Sequence, residues 1–224
     1  MQTEYIATIE FEAFLDQQSG ERGIASFIQQ RPQILYWALC GRSGHCRFVF
    51  HEFPLGNSFV ADFVVLNSYS GGWEVKFVEF ERVDVPIFTK ADVPAKRLAG
   101  AVKQADDWAD YFEKNKNEVR RDLVRWAKSK DILGYSDGDR PRNFSGHHLA
   151  DPTTNLFDSH HIFIGRRANT SPEHHSRKGR LSQRHNVEVA TYDRLLDLAK
   201  ERYANPELWK IDGSLSLKKL LSTG

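Results

Sequence analysis

Three acidic residues, Asp62, Glu79 and Glu81, are the side chains of this sequence best placed to do chemistry. Asp62 stands in an apolar run, residues 59–66, and Glu79 and Glu81 stand two apart in a second run, residues 73–82. Side chains alternate faces along a strand, so Glu79 and Glu81 project to one side, together with Trp73, Val75 and Phe77. Two carboxylates ending an otherwise apolar strand face are costly unless a cation or a partner neutralises them. Oxygen ligands of this kind hold hard divalent cations such as Mg²⁺ or Mn²⁺. An ion so held supplies hydroxide at neutral pH and offsets the charge that develops on a phosphodiester under attack. The chemistry indicated is metal-assisted phosphodiester hydrolysis.

The spacing D-x16-E-x-E matches the PD-(D/E)xK nuclease pattern with one departure, Glu81 standing where the pattern has lysine. The lysine of that pattern orients the attacking water and steadies transition-state charge. With glutamate in its place the metal must do more, and Glu81 is either a ligand or the general base. Gln104, on the helix after the acidic strand, is a supporting group, and Tyr111 lies two turns later on about the same face. Glu21 has two readings, a further carboxylate of the metal shell or a first-turn acid favoured by the helix dipole. The bland alternative for the set is an edge strand with solvated acids. Phe77, Val78 and Phe80, flanking the acids, weigh against it.

The elements that must carry these residues follow from periodicity and breakers. Residues 1–39 read as two helical pieces parted at Ser19-Gly20, the second ended by Pro32. Residues 47–53 read as a first strand, ahead of the two acidic strands. Residues 95–114 form the clearest helix, with Leu98, Ala101, Val102, Ala105, Trp108 and Phe112 on one stripe, and residues 118–130 read as another. A long Gly, Pro, Asn and His-rich loop is expected over 137–158, then a strand at 160–165, a basic connection at 166–186, a strand at 186–190 and a last helix at 194–203. This order predicts a mixed α/β (α+β) domain over residues 21–204, its central mixed sheet flanked by helices, with an N-terminal helical segment at 1–20 and a tail at 205–224.

Several of these pieces, in this order, resemble the Shedu-type nuclease domain of prokaryotic antiphage defence: ERGIASFIQQRPQIL, ADFVVL, WEVKFVEFERVDVPIFTK, AVKQADDW, IFIGRR and VEVATYDRLLDLA. The resemblance implies a PD-(D/E)xK restriction-endonuclease-like core, divalent-metal-dependent cleavage of DNA, and homo-oligomeric assembly. It assigns Asp62 and Glu79 as metal ligands and Gln104 as a supporting active-site residue, and it puts Glu81 at the lysine position. Members often carry additional N-terminal sensing regions, for which this sequence has little room, so the expectation is either a minimal stand-alone nuclease or one that depends on a regulatory protein partner. A nuclease-derived module that binds DNA without cutting it is the rival reading, and the missing lysine is its motive.

Arg166, Arg167, Arg177, Lys178, Arg180 and Arg184, interspersed with His174, His175 and His185, are the candidate contact surface for a DNA backbone. A plain solvated face is the alternative. The formal net charge of +1 excludes a polycation, so any hold on nucleic acid must come from such a local patch. Cys40, His45, Cys46 and His51 have C-x4-H-C-x4-H spacing, which lacks the paired spacing of a zinc site, and reduced thiols are the better reading. Two cysteines, no opening signal peptide and no long apolar run point to a cytoplasmic protein that does not enter a membrane.

Overall fold

Phe63, Val64, Val65 and Leu66 are all fully buried, which means that the strand carrying them is covered on both faces. The computed structural model describes residues 2–17, 20–40, 46–69, 71–133 and 146–204. Five strands, β1 (Arg47–Leu55), β2 (Phe59–Tyr69), β3 (Gly72–Phe80), β4 (Leu156–Phe163) and β5 (Val187–Ala190), form one sheet in the order β1-β2-β3-β4-β5. The first three pair antiparallel through tight turns, and β3, β4 and β5 pair parallel. Parallel neighbours need a crossover, and two helices supply it: α4 (Lys96–Ser129) between β3 and β4, and α5 (Pro172–His185) between β4 and β5. The mixed α/β architecture expected from the sequence is thus present, with helices on both sides of the sheet.

On one face α4 lays Trp108, Phe112 and Leu123 against Trp73, Val75 and Phe77 of β3. The other face is covered by α1 (Gln2–Asp16), α2 (Glu21–Gln30), α3 (Pro32–Cys40) and α6 (Tyr192–Ala204), which bury Phe11, Leu15, Ile28, Trp37 and Leu195 against Phe63, Val65 and Phe80. Among the described residues, no helix is long and apolar enough to cross a membrane.

Four local expectations are corrected. The second helix does end ahead of Pro32, at Gln30, but Pro32 also opens a further helix, α3, that was not expected; in a first turn a missing N–H is harmless and the fixed φ suits the helix. Ile34, Leu35, Tyr36, Trp37 and Ala38 are all buried, so α3 has no polar face and no helical period to read. The helices expected at 95–114 and 118–130 are one element, and the break between them is a kink at Asn115 (φ −124°, ψ 27°), whose side-chain amide donates to the Tyr111 carbonyl at 3.0 Å. The basic connection at 166–186 is mostly the helix α5, entered at Ser171-Pro172 and stopped by Asn186 in the left-handed region (φ 49°). Leu181 is its one partly buried core residue, too little to show a periodicity. β4 begins at Leu156, within the stretch expected as loop. Residues 134–145, the tail at 205–224 and His45 lie outside the described residues.

Candidate active site at the end of the acidic strands

The site forms where the ladder between β2 and β3 runs out. Pairing of these strands continues from Tyr69–Gly72 to Phe63–Val78 and stops there. The N–H of Phe80, beyond the last pair, is taken by the Asp62 carboxylate, with Oδ2 at 2.8 Å. Across the sheet, β1 and β2 pair on both sides of Glu52 and Asp62 but not at them. Glu52 has φ 54°, a left-handed conformation that is uncommon for a non-glycine residue. Both strands change face there. Val64 and Leu66 point toward α4 and Phe63 and Val65 away, yet Ala61 again points toward α4; Phe48 and Phe50 share that side with Phe53 and Leu55. This paired irregularity gives Asp62 its direction.

Glu79 lies on the α4 side of β3, as the alternation with Trp73, Val75 and Phe77 requires, and it accepts a hydrogen bond from Gln104 Nε2 of α4 at 3.0 Å. Glu81 follows just past the strand. Its backbone is fixed by its own N–H donating to Phe163 O at 2.9 Å and by the Tyr192 hydroxyl donating to its carbonyl at 2.6 Å. Glu21 enters from the first turn of α2. Asp62, Glu79, Glu81, Glu21, Glu52 and His51 line one cavity of about 520 Å³. Glu21 is thus a first-turn acid that also faces the same cavity as the strand acids.

The carboxyl groups feel one another. Burial first, then Asp62, Glu81 and Glu21, push the Glu79 carboxyl up to about 9, against the hydrogen bond from Gln104. Asp62 is pushed up to about 6, chiefly by burial and further by Glu21, Glu81 and Glu52, while the Phe80 N–H pulls the other way. Glu81 is raised by burial and held back by Arg97. Arg97, in the first turn of α4, donates to Glu21 Oε2 at 2.9 Å and to Glu81 Oε2 at 3.0 Å. Sequence reasoning passed over both Arg97 and Glu52. A basic first turn opposes the helix dipole, and that mismatch at Lys96-Arg97 was the available signal; nothing in the sequence marks the backbone of Glu52.

A divalent cation suits this donor set, since it would relieve the mutual repulsion of partly buried carboxylates that lack enough counter-charge. Asp62, Glu79 and Glu81 are the residues that would hold it, with Glu21 next. Among the described residues no group of three His, Cys, Asp or Glu side chains is already placed to grip an ion, so binding would require the carboxylates to draw inward. Cys40 and Cys46 are buried, outside any disulfide, and belong to different core clusters, which does not favour the zinc spelling. His160 stacks on Phe77 at 5.4 Å whereas His161 Nδ1 lies 3.2 Å from Glu188, so the adjacent pair divides between two neighbourhoods.

Residues 18–196 match the family described as Shedu protein SduA, C-terminal. The chain belongs to that family. No curated protein matches it. Membership in the Shedu family implies a part in antiphage defence, and this domain is associated with the nuclease of such a system. The basic residues expected to meet DNA in this Shedu domain have varied surroundings. Arg166 is bound to Asp193 (3.0 Å) and Asp16 (2.8 Å), Arg167 to Asp197, and Arg177 to Asp92 (2.9 Å). Arg180 is exposed and Lys178 half-buried.

Proposed function

We propose that this Shedu domain is a divalent-metal-dependent DNA endonuclease with a PD-(D/E)xK-type active site. The observation that carries the proposal is the gathering of Asp62, Glu79 and Glu81 on one cavity with their carboxyls raised above the ordinary range. Mg²⁺ or Mn²⁺, when bound, supplies positive charge beside the scissile phosphate and lowers the pKa of water. Asp62 and Glu79 serve as ligands, and Asp62 is oriented for this by the Phe80 N–H, which occupies one of its oxygens and leaves the other free. Gln104 fixes the Glu79 carboxylate and, released from it, offers an amide to water or to a phosphate oxygen. Glu81 acts as a ligand or as the general base.

Arg97 answers the missing lysine. The motif position holds a carboxylate, yet a guanidinium from the neighbouring helix reaches that carboxylate and the cavity mouth, so a cation is again present where phosphate charge would build up. A supercoiled plasmid incubated with Mg²⁺ or Mn²⁺ tests the reading. Wild-type protein nicks or linearises it, and Asp62→Asn and Glu79→Gln do not; an inert wild type, or variants that cut as well, would defeat it. The rival, a DNA-binding module without hydrolysis, is favoured by the engagement of Glu81 with Arg97, and it requires DNA binding in EDTA that Glu79→Gln leaves unchanged.

A further inference from the structure

A second cavity, of about 350 Å³, opens where α5 meets the end of β5 and the start of α6, and it shares no lining residue with the carboxylate cavity. Its floor is apolar, made by Ile87, Phe88 and Val189. Its rim is basic. Lys178 of α5, Arg194 of α6 and Arg167 face it together; burial lowers the Lys178 ammonium, Glu188 pulls it back up, and the two guanidinium groups lower it further. Other basic side chains of this region are engaged: Arg167 by Asp197, Arg177 by Asp92, and the His174 ring by the Ser171 N–H at 3.2 Å. Lys178, the Arg194 guanidinium and His175 have no hydrogen bond or ion pair among the described residues. Glu188, the one carboxylate among the described lining residues, already has His161 Nδ1 at 3.2 Å.

Lys178 and Arg194 share one lining carboxylate, Glu188, with no ion pair to it, and an anion bound between them relieves the repulsion that Glu188 only partly offsets. A tetrahedral phosphate suits an ammonium and a guanidinium approaching from two helices. The apolar floor beside them fits a planar ring and gives no reason to prefer inorganic phosphate. A volume of this order suits a small ligand, not an open duplex. The geometry points to a site for one nucleotide unit, its phosphate on Lys178 and Arg194 and its base on Ile87, Phe88 and Val189. The unit is either a free mononucleotide or one nucleotide of a single strand. Arg166 and Arg177, counted with Lys178 from the sequence, belong instead to ion pairs that tie α1, α5 and α6 to their surroundings.

The test uses the full chain in EDTA, which keeps it independent of any reaction at the carboxylate cavity. A mononucleotide (dTMP) and a fluorescein-labelled 12-nucleotide single strand are titrated separately against wild type, Lys178→Gln, Arg194→Gln and a charge-matched surface control, Arg121→Gln. Melting curves show that each variant folds, and Arg194, being exposed, is the safer of the two pocket changes. The expected result is saturable binding that each pocket variant weakens by about tenfold or more and the control does not. Binding of dTMP with this dependence identifies a free nucleotide as ligand; the same dependence with the oligonucleotide alone identifies a strand. If neither probe saturates, or if the pocket variants bind like Arg121→Gln, the assignment fails.

Discussion

In an unfolded chain the Glu79 carboxyl would titrate near 4.5, whereas in the fold burial and its acidic neighbours push it up to about 9. Between those values the native protein holds a proton that the unfolded chain has released. The folded state therefore binds more protons, and stability must fall as pH rises through this window. At pH 7 the penalty from Glu79 is about 3 kcal/mol, at about 1.4 kcal/mol for each pH unit above 4.5. Asp62, pushed from 3.8 to about 6, steepens the same fall at its acidic end. Glu79→Gln removes the titrating group while its amide oxygen can still accept from Gln104 Nε2. In EDTA at neutral pH the variant should melt about 6–12 °C above wild type, and the gap should close as pH falls to about 4.5. Saturating Mn²⁺ should narrow the gap by stabilising wild type, by about 2.7 kcal/mol at a hundredfold excess over Kd. Differential scanning calorimetry over a pH series reads all three. A variant no more stable than wild type at neutral pH, or a gap that does not depend on pH, would refute the repulsion argument.

Other perturbations reach separate parts of the account. Arg97→Ala should lower plasmid cleavage by about 10²-fold with Arg97→Lys in between; equal rates for all three would remove Arg97 from the site. Glu52→Gly should stabilise the fold by about 1 kcal/mol in urea unfolding, since glycine accepts the φ of 54° without strain; a destabilised variant would show that Glu52 is not strained. Gly72→Ala should cost about 2–3 kcal/mol, because φ is +150° and a Cβ there would stand 2.6 Å from Asn155 O, the acceptor of the Trp73 N–H. Unchanged unfolding of that variant would mean that the β3–β4 entry can shift.

The grouping of Glu79 and Glu81 was legible because strand alternation is a local rule, and Gln104 because one clear apolar stripe fixes which side of α4 meets the sheet. The aim of Asp62 was not legible in the same way. It depends on the change of face at Glu52 and Asp62, which is a property of two strands pairing and leaves no mark in either one. Arg97 was missed because its partners, Glu21 and Glu81, are 76 and 16 residues away and only the fold brings them to one helix end. α3 and α5 escaped for opposite reasons, one being apolar on every side and the other almost entirely polar, so neither shows the half-buried period that betrays a helix. The succession of strands along the chain was readable from breakers and periodicity alone, and the helix between β3 and β4 was readable as two pieces, which the structure joins across the kink at Asn115.

The central claim is that Asp62 and Glu79 share a divalent ion, and crystals grown with Mn²⁺ test it most directly through anomalous scattering at the manganese edge. The account expects a peak between these two carboxylates, within bonding distance of their oxygens, with Glu81 or Glu21 turned toward it and Arg97 at its side. Manganese bound elsewhere, with the carboxylate cavity vacant and Glu79 still held by Gln104, would contradict it.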